Sequence, residues 1–174
     1  GFELAVRYLK ELGHKKIGLI SGPLDSYILK ARYSAYLNAL DKYGLEINED
    51  YIGLGYYVNE STKTYVPRLL EQGVTAILFS HDIRAISAIT ECMKLGIRIP
   101  GDISLVGFDD LPMAANTAPP LTTIRQDRIA LGKCGFYALS SLLNNVPIGS
   151  ILLRDPLIIR NSTGPAPEKA SVPA

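Results

Sequence analysis

Two kinds of hydrophobic pattern alternate along this chain. Short runs of mostly apolar residues, which are typical of buried strands, occupy residues 16–20, 51–58, 75–79, 103–108, 121–124 and 151–159. Longer runs with apolar residues at helical spacing occupy residues 1–13, 28–43, 59–72, 83–95 and 127–144. The alternation up to residue 108 predicts an α/β fold with a doubly wound, mostly parallel sheet and helices on both faces.

Two of the predicted helices carry further detail. Pro67 lies inside the third helix and should kink or shorten it, because proline removes a backbone donor. The fourth helix places Ile86, Ile89, Cys92 and Met93 at the spacing of an inward face.

The predicted topology decides where a ligand would bind. Right-handed crossovers place all the strand-to-helix turns at one edge of the sheet, and open α/β sheets bind ligands outside the carboxyl ends of their strands. The turns selected by this rule lie at residues 21–28, 57–61, 80–82 and 109–110.

Arg32 and Asp109 are the charged candidates at this edge. The planar guanidinium of Arg32 can hold vicinal hydroxyls or a carboxylate through two hydrogen bonds. Asp109 directly follows a predicted strand and can accept from a ligand hydroxyl or amine. The alternatives are a solvated Arg32, or a structural ion pair of Arg32 with Asp25 or Asp109; Asp110 is expected to hold the following turn through its own backbone.

Three neighbouring side chains have both a binding and a structural interpretation. Asp82 is either the N-cap of the fourth helix or a ligand contact. His81 can donate and accept hydrogen bonds, which suits a polyol or a nucleobase, but it can equally be a partly solvated loop residue. Tyr27 can stack on a sugar or base, or cover the edge of the core. His14 lies at the opposite edge of the sheet and is interpreted as structural.

Composition narrows the class of protein. The 174 residues are 47% hydrophobic and 20% charged with a net charge of +1, which is typical of a soluble globular domain. We expect a cytoplasmic protein, because the chain has no long apolar run and no signal-peptide pattern. Cys92 and Cys134 are far apart, so both are interpreted as buried apolar residues, and no metal site or cofactor is expected.

Five motifs in order resemble the LacI family of bacterial transcription regulators, in their effector-binding domain. They are ELGHKKIGLISGPLD, then Arg32 with AYLNAL, then SHDIRAISAI with LGIRIPGDISLVGFDD, then PPLTTIRQD and finally LIIRNST. The resemblance covers roughly residues 1–163. It departs from the family at His81, where Asn or Thr is common, and at Ala35, where glycine is usual.

The resemblance implies a periplasmic-binding-protein-like fold of two lobes, a homodimer, and an N-terminal helix-turn-helix that binds operator DNA. It further implies effector contacts at Arg32, His81 and Asp109, with Asp82, Tyr27 and Gln126 nearby. Residues 1–117 and a returning strand at 151–163 are expected to form the C-terminal lobe. Residues 118–150 are expected to be part of the N-terminal lobe, and residues 164–174 a disordered tail. Because the chain opens on a helix, we expect a preceding segment that carries the DNA-binding part.

The function expected from this resemblance is sensing of a small sugar, related polyol or nucleobase-like effector. The alternative is a solute-binding protein of a sugar transporter, which has the same fold. An enzyme is not expected, because no GxSxG motif, Walker loop or Cys/His pair is present and the two histidines lie at opposite edges of the sheet. A receiver domain is disfavoured since the first predicted strand ends on Ser-Gly-Pro rather than on paired acids.

Overall fold

Strands and helices follow one another in the predicted order in the computed structural model, which describes residues 1–168. The strands are β1 (Ile17–Ser21), β2 (Ile52–Leu54), β3 (Ala76–Phe79), β4 (Ser104–Asp109), β5 (Thr122–Arg125) and β6 (Leu157–Ile158). The helices are α1 (Phe2–Glu11), α2 (Tyr27–Lys42), α3 (Val58–Glu71), α4 (Asp82–Lys94) and α5 (Arg128–Leu143). The predicted α/β class is confirmed.

The strands form one six-stranded sheet in the order β2-β1-β3-β4-β5-β6. β1 to β5 pair in parallel, and β6 runs antiparallel to β5. The mostly parallel sheet is therefore confirmed. One detail differs from expectation: β5 was assigned to a second lobe, but it pairs with β4 from Val106↔Thr122 to Asp109↔Arg125 and so belongs to this sheet.

Apolar side chains cover both faces of the sheet, which explains why the central strands are continuous apolar runs. Successive residues of β3 point to opposite faces, so that Ile77 joins the core under α3 and α4 while Leu78 joins the core under α1 and α2. In the second core Phe2 of α1 meets Phe108 of β4 edge to face, with ring centroids 5.5 Å apart. The doubly wound arrangement follows from these two cores.

The two strands at the lateral edges of the sheet, β2 and β6, are shorter than predicted. β2 has only three residues because Glu49–Tyr51 forms a 3-10 turn ahead of it. The predicted strand at 151–159 is reduced to two residues, and Leu152 is 92% exposed. Strand-like composition needs a neighbouring strand to pair with, and each of these segments has a partner on one side only.

Two predicted helices also differ in detail. α3 continues through Pro67 without shortening, and its N-cap is Tyr57 rather than a residue further along the chain. Met93 was expected to face the core from α4 but is 67% exposed, whereas Cys92 is buried. Met93 lies one position outside the buried stripe formed by Ala85, Ala88 and Cys92.

Helix α5 forms where predicted, but none of its residues is buried. Asp127 caps its start by accepting a hydrogen bond from the Ala130 amide at 2.9 Å. Its apolar side chains stand in the open, and those more than half exposed are Ile129, Leu131, Phe136, Tyr137, Leu139, Leu142 and Leu143. A helix with this much exposed apolar surface has the composition of one that packs against something else.

The segment after β6 is held to the amino-terminal edge of the sheet. His14, which is 1% exposed, lies within hydrogen-bond distance of Thr75 Oγ1 at 2.9 Å and of the Gly164 carbonyl at 3.0 Å. The Ala166 amide donates to the Leu12 carbonyl at 2.9 Å. The structural role of His14 is confirmed, and the expectation of disorder is wrong for residues 164–168, because these hydrogen bonds order the chain; residues 169–174 lie outside the described part.

Candidate functional site

An ion pair between Arg32 and Asp109 stands at the carboxyl edge of the sheet. Nη2 of Arg32, in the second turn of α2, lies 3.4 Å from Oδ1 of Asp109, where β4 ends. The guanidinium carbon lies 3.7 Å from the centroid of the Phe108 ring, and Nη1 donates to the carbonyl of Ser80 after β3. Three contacts, two from β4 and one from the residue after β3, therefore hold this arginine over the strand ends.

The ion pair is one of the two structural pairings that the sequence left open. The other, with Asp25, does not form; the Asp25 carboxylate accepts from the Tyr56 hydroxyl at 3.3 Å instead. The side chains of Arg32 and Asp109 are 14% and 23% exposed, so the pair keeps a solvent-facing side. That side can offer both a donor and an acceptor to a polar molecule in the cleft.

Partial burial shifts both members of the pair towards their neutral forms. Burial lowers the pKa of Arg32, and Asp109 opposes that shift. Burial raises the pKa of the Asp109 carboxyl, and the charge and hydrogen bond of Arg32 oppose the rise. A ligand hydroxyl that bonds to the carboxylate would replace hydration lost on burial, which favours binding.

The backbone turns sharply at the end of β4. Asp109 and Asp110 have φ values of 111° and 50°, a region that non-glycine residues seldom adopt. Aspartate tolerates such positions better than most residues. Backbone conformations of this kind gather at ligand-binding and switch segments.

Asp110 was expected to hold the following turn through its own backbone. Instead, two arginines bind its carboxylate. Oδ2 accepts from Nε of Arg125 on β5 at 2.6 Å, and Oδ1 accepts from Nη2 of Arg160 at 2.7 Å. Burial raises the pKa of this carboxyl, but the two arginines outweigh burial and hold the pKa below its usual value. Asp110 thus ties the end of β4 to β5 and to the chain after β6.

A cleft of about 290 Å³ opens beside the ion pair. Tyr27, Ile28 and Gln126 line it together with Arg32 and Phe108. Tyr27 is 86% exposed, so its alternative role as a cover for the core is wrong. Of the six predicted site residues, Arg32, Tyr27 and Gln126 border this cleft.

Larger clefts of about 420 and 530 Å³ lie at the opposite edge of the sheet. Both are bordered by Lys15 and Lys16, and neither lining contains a carboxylate-arginine pair such as that of Arg32. The candidate site is therefore placed at the carboxyl edge, where the half-buried charged groups gather.

Asp82 serves the interior of the protein. The N-cap of α4 is His81, so Asp82 is the first helical residue instead of the cap. Its carboxylate has no exposed surface; Oδ1 accepts from Thr123 Oγ1 at 2.5 Å and Oδ2 from the Leu111 amide at 2.7 Å. A Cβ at Gly107 would overlap Oδ1, so β4 needs glycine there. In this structure Asp82 links α4 to β5 and does not face the cleft.

Burial raises the pKa of Asp82 to about 6, although the hydrogen bonds from Thr123 and Leu111 oppose the rise. Burial also favours the neutral form of the neighbouring His81, but for a histidine this lowers the pKa, and the positive charge of Arg84 lowers it further. His81 is therefore neutral at pH 7, with one ring nitrogen as donor and one as acceptor. Its Nδ1 has no hydrogen-bond partner within residues 1–168.

Sequence reasoning missed two contributors to this edge. Phe108, assigned only to the core, supports the Arg32 guanidinium through its ring. Arg84 on α4 is 2% exposed and donates to the carbonyls of the β2–α3 loop. The signal for Arg84 was its helical spacing, because it precedes Ala88 by one turn on the buried face.

Within residues 1–168, no group of three or more His, Cys, Asp or Glu side chains is arranged to hold a metal ion. Cys92 is buried and Cys134 is half-buried, and neither forms a disulfide. No helix in this part of the chain has the length and apolar character required to cross a membrane.

Comparison with known proteins places this geometry in context. Residues 6–163 match the family model of the periplasmic binding protein-like domain. The chain is 35% identical over 167 residues to the HTH-type transcriptional repressor CytR of Escherichia coli strain K12, covering 94% of this chain and 49% of that protein. It is 37% identical over 148 residues to the HTH-type transcriptional repressor PurR of Haemophilus influenzae strain PittEE, covering 84% and 43%.

Solved structures agree with these relatives. The Lac repressor dimer bound to operator and the anti-inducer ONPF superposes with a TM-score of 0.86 at 30% identity, over 94% of this chain and 58% of that one. A sugar-binding transcriptional regulator of the LacI family from Escherichia coli, complexed with phosphate, gives a TM-score of 0.85 at 28% identity over 94% and 60%. The chain spans about half the length of the repressors CytR and PurR.

Proposed function

Because the chain belongs to the LacI family of transcription regulators, we propose that it senses a small effector and so modulates DNA binding by a helix-turn-helix outside these residues. The effector is a sugar, a related polyol or a nucleobase-like molecule, bound at the carboxyl edge of the sheet. The proposal extends to a homodimer as the working form, as in the operator-bound Lac repressor, whose structure is a dimer.

The observation that supports this proposal is the Arg32–Asp109 pair. It joins a forked donor and an acceptor 3.4 Å apart, and the arginine lies above an aromatic ring and lines an open cleft. Vicinal hydroxyls and the edge of a nucleobase both present donors and acceptors side by side, which suits such a pair. His81 is a further candidate contact, but its unpartnered Nδ1 is buried among the described residues, so the side chain would have to rearrange to bond to the same ligand.

We further propose that the site is half of a cleft between two lobes. The exposed apolar face of α5 supports this, because a second lobe packed on that helix would cover it. Asp110 binds Arg125 at the end of β5, just before α5, and Arg160, which follows β6. The carboxylate next to Asp109 would therefore couple ligand contact to the strands that join the lobes.

The mechanism we propose is a shift between two lobe angles. A ligand can change an equilibrium only through a difference in its affinity for the two states. An effector that bridges Asp109 and a second lobe binds the closed arrangement more tightly and so favours it. A dimer would then transmit that arrangement to the DNA-binding segments as a coupling free energy.

Thermal melting of the full-length protein tests the proposal. D-Ribose, D-glucose, adenosine and cytidine are added one at a time, at concentrations up to about 100-fold above the dissociation constant of the complex. A true effector at that excess stabilises the protein by about 2.7 kcal/mol, which raises the melting temperature by several degrees. Arg32→Ala is expected to abolish the rise.

The matched control is Arg68→Ala, which removes a surface arginine of α3 whose guanidinium lies 2.8 Å from the Asp50 carboxylate. It should leave the ligand-induced rise unchanged. A wild-type protein that responds to none of these compounds, or an Arg32→Ala protein that responds like wild type, contradicts the assignment of this site.

The alternative function, a solute-binding protein of a sugar transporter, shares the fold and the cleft. The relatives CytR and PurR are repressors, which favours the regulator.

A further inference from the structure

Arg84 on α4 is a buried arginine without a carboxylate partner among residues 1–168. It is 2% exposed, and none of the ion pairs of the described residues includes it. Burial lowers the pKa of its guanidinium, and no carboxylate opposes that shift. Burying a charge weakens the folded state unless hydrogen bonds replace the lost hydration, so the groups that this guanidinium binds show what it holds in place.

The hydrogen bonds of this guanidinium go to two neighbouring places. They are the loop of residues 55–57 between β2 and α3, and the first turn of α3. Nη2 donates to the carbonyl oxygens of Gly55 at 2.7 Å and Tyr56 at 3.2 Å. Nη1 donates to Oγ of Ser61, and that hydroxyl donates in turn to the carbonyl of Tyr57 at 2.7 Å. Three successive carbonyls are therefore held, two directly and one through Ser61.

This loop lies at the carboxyl edge of β2 and presents two tyrosines. Tyr56 and Tyr57 are 72% and 71% exposed, so their rings are available to a ligand. The Tyr56 hydroxyl also donates to Asp25 at 3.3 Å, in the β1–α2 loop that precedes Tyr27. Tyr56 and Tyr57 border a separate cavity of about 220 Å³ together with Ser61, and the bond to Asp25 connects this loop to the segment that leads to Tyr27 in the candidate cleft.

We propose that Arg84 is a positioning residue for effector specificity, which acts by holding the carbonyls of residues 55–57. The inference rests on the proposed effector-sensing function and deepens it. Without the guanidinium, the carbonyls of the loop lose their partners and the backbone moves to reach water. Lysine donates from a single nitrogen and cannot span both the loop carbonyls and Ser61, so it can restore only part of the arrangement.

Arg84→Met and Arg84→Lys in the full-length protein test this role, with Arg68→Met as a control that removes an exposed arginine from α3. Amide hydrogen exchange of peptides over residues 55–61 measures the loop without any ligand. In Arg84→Met we expect exchange there to become about tenfold faster, while β1 and β3 exchange as in wild type. Arg84→Lys should fall between the two, and Arg68→Met should match wild type.

Dissociation constants for D-ribose and for adenosine and cytidine provide the second measurement. Because the tyrosine rings present a flat apolar face, the displaced loop should alter nucleoside binding more than ribose binding. We expect the ratio of the two constants to change by about fivefold or more in Arg84→Met. A purely structural role would lower the melting temperature and leave this ratio unchanged.

Unchanged loop exchange, or equal weakening of both ligand classes, overturns the proposal. If Arg84→Met does not fold, Arg84→Lys carries the same comparison. Failure of the proposed function looks different, since the unmodified protein then binds none of these compounds. In that case the proposed specificity role of Arg84 is also wrong, even if amide exchange in the loop becomes faster.

Discussion

Asp82→Asn should remove a large pH dependence from the stability of this protein. Burial raises the pKa of the Asp82 carboxyl from 3.8 to about 6. The folded protein therefore holds this proton more tightly than the unfolded chain, and the stability gained from protonation is fully present below pH 3.8. It is lost as the pH rises through about 6.

The structure sets the size of the loss. At about 1.4 kcal/mol for each pH unit, the rise in pKa amounts to roughly 3 kcal/mol of stability lost between pH 4 and pH 7. Asparagine fits the same place, because its oxygen can accept from the Leu111 amide and its NH₂ can donate to Thr123 Oγ1. It cannot ionise, so this loss is absent in the variant.

Urea unfolding followed by circular dichroism at several pH values from about 4 to 8 measures the effect. The free energy of unfolding of Asp82→Asn, relative to wild type, should increase by roughly 3 kcal/mol across that range. Asp50→Asn, which removes an exposed carboxylate, controls for the change in net charge. If the free energies of unfolding of wild type and Asp82→Asn change with pH in the same way, ionisation of Asp82 does not destabilise the folded protein, and the reasoning is refuted.

Four further substitutions test packing and charge interactions, at the site and elsewhere in the fold. Gly107→Ala brings a Cβ into Asp82 and should lower the free energy of unfolding by about 1–3 kcal/mol, whereas Gly132→Ala, with open space around it, should raise it by about 0.5–1 kcal/mol in the same urea titration. Asp110→Asn should be destabilising above pH 3.8 and approach wild type on acidification, because the two arginines outweigh burial and lower the pKa of that carboxyl; a gap that widens as the pH falls contradicts this. His14→Ala removes the ring between Thr75 Oγ1 and the Gly164 carbonyl at an expected cost of about 1–3 kcal/mol, since Gly164 keeps its bond from Ser104 Oγ at 3.3 Å, and limited proteolysis should show faster cleavage within residues 162–168.

The sequence anticipated the core of the sheet and the ion pair because both depend on regular geometry. Strands buried on two faces are continuous apolar runs, and β1, with all five residues buried, has that pattern. The topology rule that brings carboxyl ends to one edge then placed Arg32 near Asp109, although 77 residues separate them. The same rule does not predict the lengths of β2 and β6, because each of these edge strands pairs with a neighbour on one side only.

By itself, then, the sequence determined the order of the helices and strands, the parallel sheet and the edge at which charged side chains gather. Only the tertiary structure decided what those side chains contact. Asp82 is bonded to groups 29 and 41 residues away, and Arg84 to carbonyls 28 and 29 residues away. Periodicity marks which face of a helix is buried, but a polar group on that face takes whichever partner the packed neighbours bring within about 3 Å, and no local pattern encodes that choice.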